Sequence, residues 1–174
     1  PSISPADRLL LLETATQGMD SRIEILDWEI KKREPSFTIE TVKQLRSLQR
    51  EPITLIIGDD ILSRLSEWKS ANELFQLVDW IVIKRNGGNR EDPQQLLQKV
   101  GIIDGHFIDK NHLAYSQDQH SIRFCDIKAL SFSSTQLRTE LGELWKKNKL
   151  DNPPQGIQRS VWLLIKEKRL YAVG

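Results

Sequence analysis

The sequence predicts an α/β fold: a parallel sheet with helices on both faces. Short strand-like runs alternate with helical patterns along the 174 residues, as parallel-sheet units require. Two of the runs, "ITLII" (53–57) and "WIVIK" (80–84), are apolar throughout, the pattern of strands covered on both faces. These most apolar runs are also the ones flanked by helices. There is no internal repeat, low-complexity tract or linker, so one domain spanning 1–174 is expected, ending in a helical segment over 134–168.

Each element has a local reason. Ser4, Pro5 and Asp7 open a helix as cap, first-turn proline and acid at the positive end, and Leu9, Leu12 and Ala15, alongside Leu10 and Leu11, form its expected buried stripe. "RIEILDWEI" (22–30) alternates as a strand would. "SFTIETVKQLRSL" (36–48) reads as a helix capped by Thr38, with Ile39, Val42, Leu45 and Leu48 at steps of three. "ITLII" follows, then the turn "GDD" and a helix. "SANELFQLV" (70–78) is helical, and "WIVIK" is the second buried strand. "RNGGNREDP" (85–93) is a polar loop before a short helix through Val100. Two weaker strands surround His112–Tyr115 and Ser121–Cys125. A helix begun at Ser134 carries Leu137, Leu141 and Leu144, Pro153 and Pro154 break the chain, and a last helix over 156–168 buries Ile157, Val161, Leu164 and Ile165.

Composition narrows the function. Twenty-five basic and 24 acidic residues leave a net charge of +1, which points to neither nucleic acid nor an acidic membrane. No apolar run reaches a membrane span. Cys125 is the single cysteine, which rules out an intrachain disulfide or a thiolate cluster and fits a reducing, cytoplasmic setting. The three histidines have no clustered partner ligand, so they read as surface residues and no metal site is assigned.

Parallel sheets bind ligands beyond the carboxyl ends of their strands. The segments to inspect are therefore Gly58–Asp60, Arg85–Gly88 and 131–138. In "LSFSSTQLRTEL" (130–141), Ser131, Ser133, Ser134 and Thr135 are poor helix-interior residues and good helix starters. A helix N-terminus offers unpaired N–H groups and a positive dipole to an anion, and Arg138 lies one turn after Ser134. A capped surface helix with an ordinary exposed arginine is the plainer reading.

Several segments, in order, resemble the bacterial nicotinate-nucleotide adenylyltransferases of the HxGH nucleotidyltransferase superfamily. "FSSTQLR" (132–138) is similar to the family's ISSTxIR signature. "PSFT" with "IETVKQLR" (35–46) is similar to PSYT followed by a helix with D/E-T-L. "IIGDD" (56–60) resembles IIGxD, Trp68 stands where the family has a tryptophan before a helix and a strand ending in Arg, and "KRLYAVG" resembles the closing segment. The resemblance implies a Rossmann-like fold and adenylyl transfer from ATP to nicotinate mononucleotide, giving nicotinate adenine dinucleotide and pyrophosphate on the route to NAD. Ser133, Ser134, Thr135 and Arg138 would hold the ATP phosphates, Gly58 and Asp60 the adenosine side, and Arg85 would lie near the nucleotide. Thr38 and Trp68 would form the nicotinate pocket, with Trp68 on the pyridine ring and Mg²⁺ screening the phosphates. No protein nucleophile is implied.

The departures count too. The family's opening strand, HxGH loop and second strand have no match in this chain, so the first βαβ unit is expected to be absent and the chain by itself inactive, with no catalytic residue assigned in it. His106 and His112 are spaced too widely to replace HxGH, Phe37 stands for the usual Tyr, and "RNGG" for RPG. Two alternatives stay open: a non-catalytic nucleotide-binding or scaffold relative, and an adenylyltransferase for another phosphorylated acceptor such as pantetheine phosphate. Trp68 as a core residue, Asp60 as a helix cap, Arg85 as a solvated strand end and self-association of the chain are likewise open.

Overall fold

The computed structural model describes residues 3–84, 98, 106–109, 112–114, 120–126 and 133–172. The chain divides into two compact units, one of 34–129 and one joining 1–33 to 130–174.

The unit of 34–129 is α/β. Its described elements are helix α3 (Thr38–Ser47), strand β1 (Thr54–Gly58), the short helix α4 (Asp59–Leu62), a 3₁₀ turn (Leu65–Glu67), helix α5 (Ala71–Phe75) and strands β2 (Asp79–Lys84), β3 (His106–Asp109), β4 (His112–Ala114) and β5 (Ser121–Asp126). The sheet order is β1-β2-β5-β4-β3. The strands β1, β2 and β5 are parallel, and β4 and β3 continue the sheet antiparallel. The parallel register pairs Leu55 with Trp80 and Trp80 with Ile122, then Ile57 with Val82 and Val82 with Phe124. Since paired residues share a face, these six side chains form one apolar surface. Ile39 and Val42 of α3, Leu62, Leu65, Leu74, Phe75 and Val78 close on it, making the core of this unit. Phe75 and Trp80 meet with ring centroids 5.0 Å apart. Arg46, near the end of α3, ties that helix to the sheet edge by donating from Nη1 to the Leu77 carbonyl at 3.0 Å.

The expectation that "ITLII" is covered on both faces is corrected. The strand β1 is the edge strand among the described residues, and its burial alternates, with Ile56 64% exposed while Leu55 and Ile57 pack on the core. An apolar run reports average hydrophobicity, and only pairing decides which face is covered. The strand β2 sits between β1 and β5, with Trp80 and Val82 fully buried on one face and Ile81 and Ile83 part-buried on the other, so the double coverage expected of "WIVIK" is complete on one face only. The strand over 106–109 was not anticipated. It is a four-residue element that exists through its pairing with β4, with a register irregularity between Phe107 and Asp109. The polar loop 85–93 and the helix expected up to Val100 lie outside the described residues, except that Gln98 is helical.

The other unit is helical in its described residues: α1 (Pro5–Thr16), α2 (Trp28–Lys31), α6 (Ser134–Lys146) and α7 (Arg159–Glu167). The α1 cap forms as expected, with Asp7 N donating to Ser4 Oγ at 3.0 Å and Pro5 opening the helix. Its buried stripe does not. No α1 residue is fully buried, Leu12 is about half exposed, and Leu11 is the residue that packs on the core of Leu141, Trp162, Ile165 and Leu170. Residues 22–30 hold no strand. Asp20 accepts from the Arg22 backbone N–H at 2.9 Å and from its guanidinium, which bends the chain, and 28–31 close into one helical turn with a Lys31–Asp27 ion pair at 2.8 Å. Alternation alone does not make a strand where no partner strand accepts the ladder bonds. In α7, Trp162 and Ile165 are the most buried residues, with Val161 and, just before the helix, Ile157 packed on the same core; Leu164, expected to be buried, is only part-buried.

Candidate functional site

In the unit of 34–129, the expected ligand-binding residues fall at the carboxyl end of β1 (Gly58, Asp60), in the first turn of α3 (Thr38) and at the end of the 3₁₀ turn (Trp68). Gly58 pairs with Ile83 in the last rung between β1 and β2, then serves as the cap position of α4 with extended backbone (φ −81°, ψ 158°). Asp59 and Asp60 follow in the first turn of α4. Asp60 is exposed, its N–H donates to Asp59 Oδ1 at 3.0 Å, and its carbonyl accepts from Ser63 Oγ at 2.9 Å. The cap position is thus held by Gly58 and not by Asp60. The strand β2 ends at Lys84, so Arg85, the next residue, lies just outside the described residues.

Thr38 is not the cap of α3. Phe37 occupies that position with extended backbone and no side-chain cap bond, and Thr38 is the first helical residue, half-buried. A threonine one step inside the helix has its hydroxyl released from capping. Trp68 ends the 3₁₀ turn, with its N–H donating to the Leu65 carbonyl at 3.0 Å, and is half-buried. It packs against the core of its unit while keeping part of its ring accessible. Core residue and ring platform are therefore compatible descriptions of one side chain.

Lys69, the residue after Trp68, had no signal in the sequence. Its Nζ donates to Glu40 Oε1 at 2.8 Å and lies 4.3 Å from the centroid of the Phe37 ring. A contact across 29 residues leaves no local trace: Glu40 is legible only as the acid of the D/E-T-L-like segment, and nothing near it points to Lys69.

In the helical unit, Ser133 caps α6. Gln136 N donates to Ser133 Oγ at 3.1 Å, and Ser133 N donates to Gln136 Oε1 at 2.8 Å, a complete capping box. The box satisfies one N–H of the first turn, while those of Ser134 and Thr135 have no intrahelical acceptor. Ser134 and Thr135 are exposed, and Arg138 follows on the next turn, exposed and without an ion pair among the described residues. No acidic residue occupies the first turn to neutralise the dipole. An N-terminus of this kind keeps its positive dipole uncompensated, the physical condition that favours an anion.

His120 corrects the reading of the histidines as surface residues. It is only 20% exposed, with Nδ1 3.8 Å from Asp79 Oδ1. That same carboxylate oxygen accepts from Ser121 N at 2.7 Å and from Ser121 Oγ at 3.0 Å, pinning the start of β5 to β2. Among the described residues no three His, Cys, Asp or Glu side chains gather as a metal cage, and no helix is long and apolar enough to cross a membrane.

No protein-family model matches the chain. A curated relative from Clostridium botulinum, named "Probable nicotinate-nucleotide adenylyltransferase", is 31% identical over 127 residues, covering 71% of this chain and 56% of its own length. Relatives of the same name from Opitutus terrae and Chromobacterium violaceum are 38% identical over 85 residues and 29% identical over 174 residues. They cover 48% and 98% of this chain, and 43% and 76% of their own lengths. The chain belongs to the nicotinate-nucleotide adenylyltransferase family. It spans little more than half the length of the Clostridium botulinum relative. The fold agrees with the family. The Plasmodium falciparum nicotinic acid mononucleotide adenylyltransferase, solved in complexes with APC and with NaAD, superposes with a TM-score of 0.62 in both. Identity is 17% and 16%, with 96% and 98% of this chain and 74% and 75% of those chains covered.

Proposed function

We propose that the protein carrying this chain transfers the adenylyl group of ATP to nicotinate mononucleotide, releasing pyrophosphate and forming nicotinate adenine dinucleotide, in the cytoplasm. The observation that carries the reading is the capped, acid-free N-terminus of α6, with Arg138 exposed one turn in. The curated relatives' names and the ligands named for the solved neighbours agree with it.

In this reading the phosphate of the mononucleotide attacks the α-phosphorus of ATP and the bond to the pyrophosphate oxygen breaks. The residues do not form a covalent intermediate. They hold two anions in line and stabilise the charge that leaves with pyrophosphate. Ser133, Ser134, Thr135 and Arg138 take the triphosphate through hydroxyls, backbone N–H groups and a guanidinium fork. Gly58, lacking a Cβ, lets the nucleotide approach the end of β1, Asp60 faces its adenosine side, and Arg85 stands beyond the end of β2. Thr38 and Trp68 receive the nicotinate group. Mg²⁺ would arrive with ATP and screen the phosphate charge; among the described residues no three His, Cys, Asp or Glu side chains gather to hold it apart from the nucleotide.

The test is a turnover assay on the complete natural protein with ATP, Mg²⁺ and nicotinate mononucleotide, following both pyrophosphate and the dinucleotide. Formation of nicotinate adenine dinucleotide is expected. ATP binding without turnover on any acceptor supports a nucleotide-binding scaffold instead, and turnover only with pantetheine phosphate assigns a different acceptor.

A further inference from the structure

Lys69 joins the two segments assigned to the nicotinate pocket. It directly follows Trp68, and its side chain reaches Glu40 Oε1 at 2.8 Å and the Phe37 ring at 4.3 Å, the residues on either side of the Thr38–Ile39 pair. Successive Cα atoms are 3.8 Å apart, so this contact holds the immediate neighbours of Trp68 and Thr38 together across the mouth between them. The backbone beyond needs such support: Ser70, the next residue, is in the left-handed region at φ +54°, a conformation that costs a non-glycine residue free energy. A second tie, Lys43–Glu73 at 2.7 Å, joins α3 to α5 itself and lies farther along α3.

We propose that Lys69 is a positioning residue for the mononucleotide acceptor, setting the separation and tilt of the Trp68 ring relative to Thr38 through its joint contact with Glu40 and Phe37. The proposal rests on the functional reading above. It follows from where the contact falls. Lys43 and Glu73 join α3 to α5 along their lengths, whereas Lys69 acts at the loop that carries Trp68 and at the first turn that carries Thr38. The cation over the Phe37 ring also shows what the phenyl ring does here: it supplies a π-face for Lys69 and needs no hydroxyl.

The experiment compares Lys69→Met, Lys69→Arg and Lys43→Met in the complete protein. Losing an exposed charge-assisted bond together with a cation–π contact corresponds to roughly a fivefold effect, so Lys69→Met is expected to raise the KM for nicotinate mononucleotide by about that factor. The KM for ATP and kcat with saturating mononucleotide are expected to change less than about twofold, since uniform loss of acceptor positioning acts on KM. Lys69→Arg, which keeps both the charge and the stacking, restores the wild-type KM. Lys43→Met lowers the melting temperature to a similar extent and leaves the mononucleotide KM unchanged. An unchanged mononucleotide KM in Lys69→Met, or an equal rise in Lys43→Met, overturns the positioning role. A wild-type protein that does not use the mononucleotide at all overturns the functional reading instead, so the two failures are distinguishable.

Discussion

Ser133 and Gln136 satisfy each other's backbone across the first turn of α6, at 3.1 Å in one direction and 2.8 Å in the other. The Ser133 hydroxyl is therefore engaged as an acceptor before any ligand arrives, and its proton is still free to donate to an anion. Under the proposed phosphate role, cap and ligand contact are the same group, and stability and affinity are coupled through it.

Substituting Ser133 by Ala is expected to destabilise the helical unit by about 1 kcal/mol, the usual loss for a hydroxyl cap. Gln136→Ala breaks only the return bond and should cost less than the Ser133 change. Urea melts of the two variants compare the losses, and ATP titration of Ser133→Ala is expected to show weakened binding as well.

Arg138 behaves in the opposite way. It is exposed and has no ion pair among the described residues, so Arg138→Ala should move stability by less than about 0.5 kcal/mol. ATP affinity should fall by about 1.5–3 kcal/mol, the range for a charge-assisted bond. Calorimetric titration with ATP and a thermal melt on the same preparation check both. Unchanged affinity would remove Arg138 from the phosphate site.

Trp68 packs on the core with part of its ring accessible, so Trp68→Ala loses stability and acceptor binding together. Trp68→Phe separates them. It keeps an apolar ring on the core, and a stability loss below about 1.5 kcal/mol is expected from such a swap. The smaller π-surface should raise the KM for nicotinate mononucleotide while leaving the KM for ATP nearly unchanged. Steady-state kinetics with each substrate varied in turn decide this.

Asp7 gives unit 1–33/130–174 an acid limb. The Ser4 hydroxyl, donating to Asp7 Oδ2 at 2.6 Å, and then Lys168 at 3.2 Å hold its carboxyl below the ordinary value of 3.8. A depressed folded-state pKa contributes stability that is present above the unfolded value and lost as pH falls through the folded one. Melting temperature should therefore drop more steeply below about pH 4 in the wild type than in Asp7→Asn, which has no charge to lose. Parallel pH-dependent slopes in the two proteins would show that the Ser4–Asp7–Lys168 contacts do not carry the effect.

What was legible in the sequence was local. Ser4 with Pro5 and Asp7, and Ser133 with Gln136, specify helix starts through bonds that span three residues, so their chemistry lies within one turn of chain. The run "WIVIK" was legible as an unbroken apolar stretch, and the helices over 38–47 and 134–146 through periodicity. The family signatures near Gly58, Trp68 and Arg138 were legible because each is a short run of residue types, read without knowledge of what packs around it. The tertiary structure decided what depends on partners distant in sequence. Residues 22–30 alternate like a strand but have no strand to pair with. The strand β3 pairs with β4 alone among the described residues, and Ile56 is exposed because it lies on the face of β1 opposite the one by which Leu55 and Ile57 join the core. Thr38 yields the cap position to Phe37, whose ring is engaged by Lys69 from across the fold. A hydrogen bond within a turn is encoded by residues a few positions apart. A pairing, a buried face or a cation on a distant ring depends on loop closure and packing, and those are settled only when the whole chain has folded.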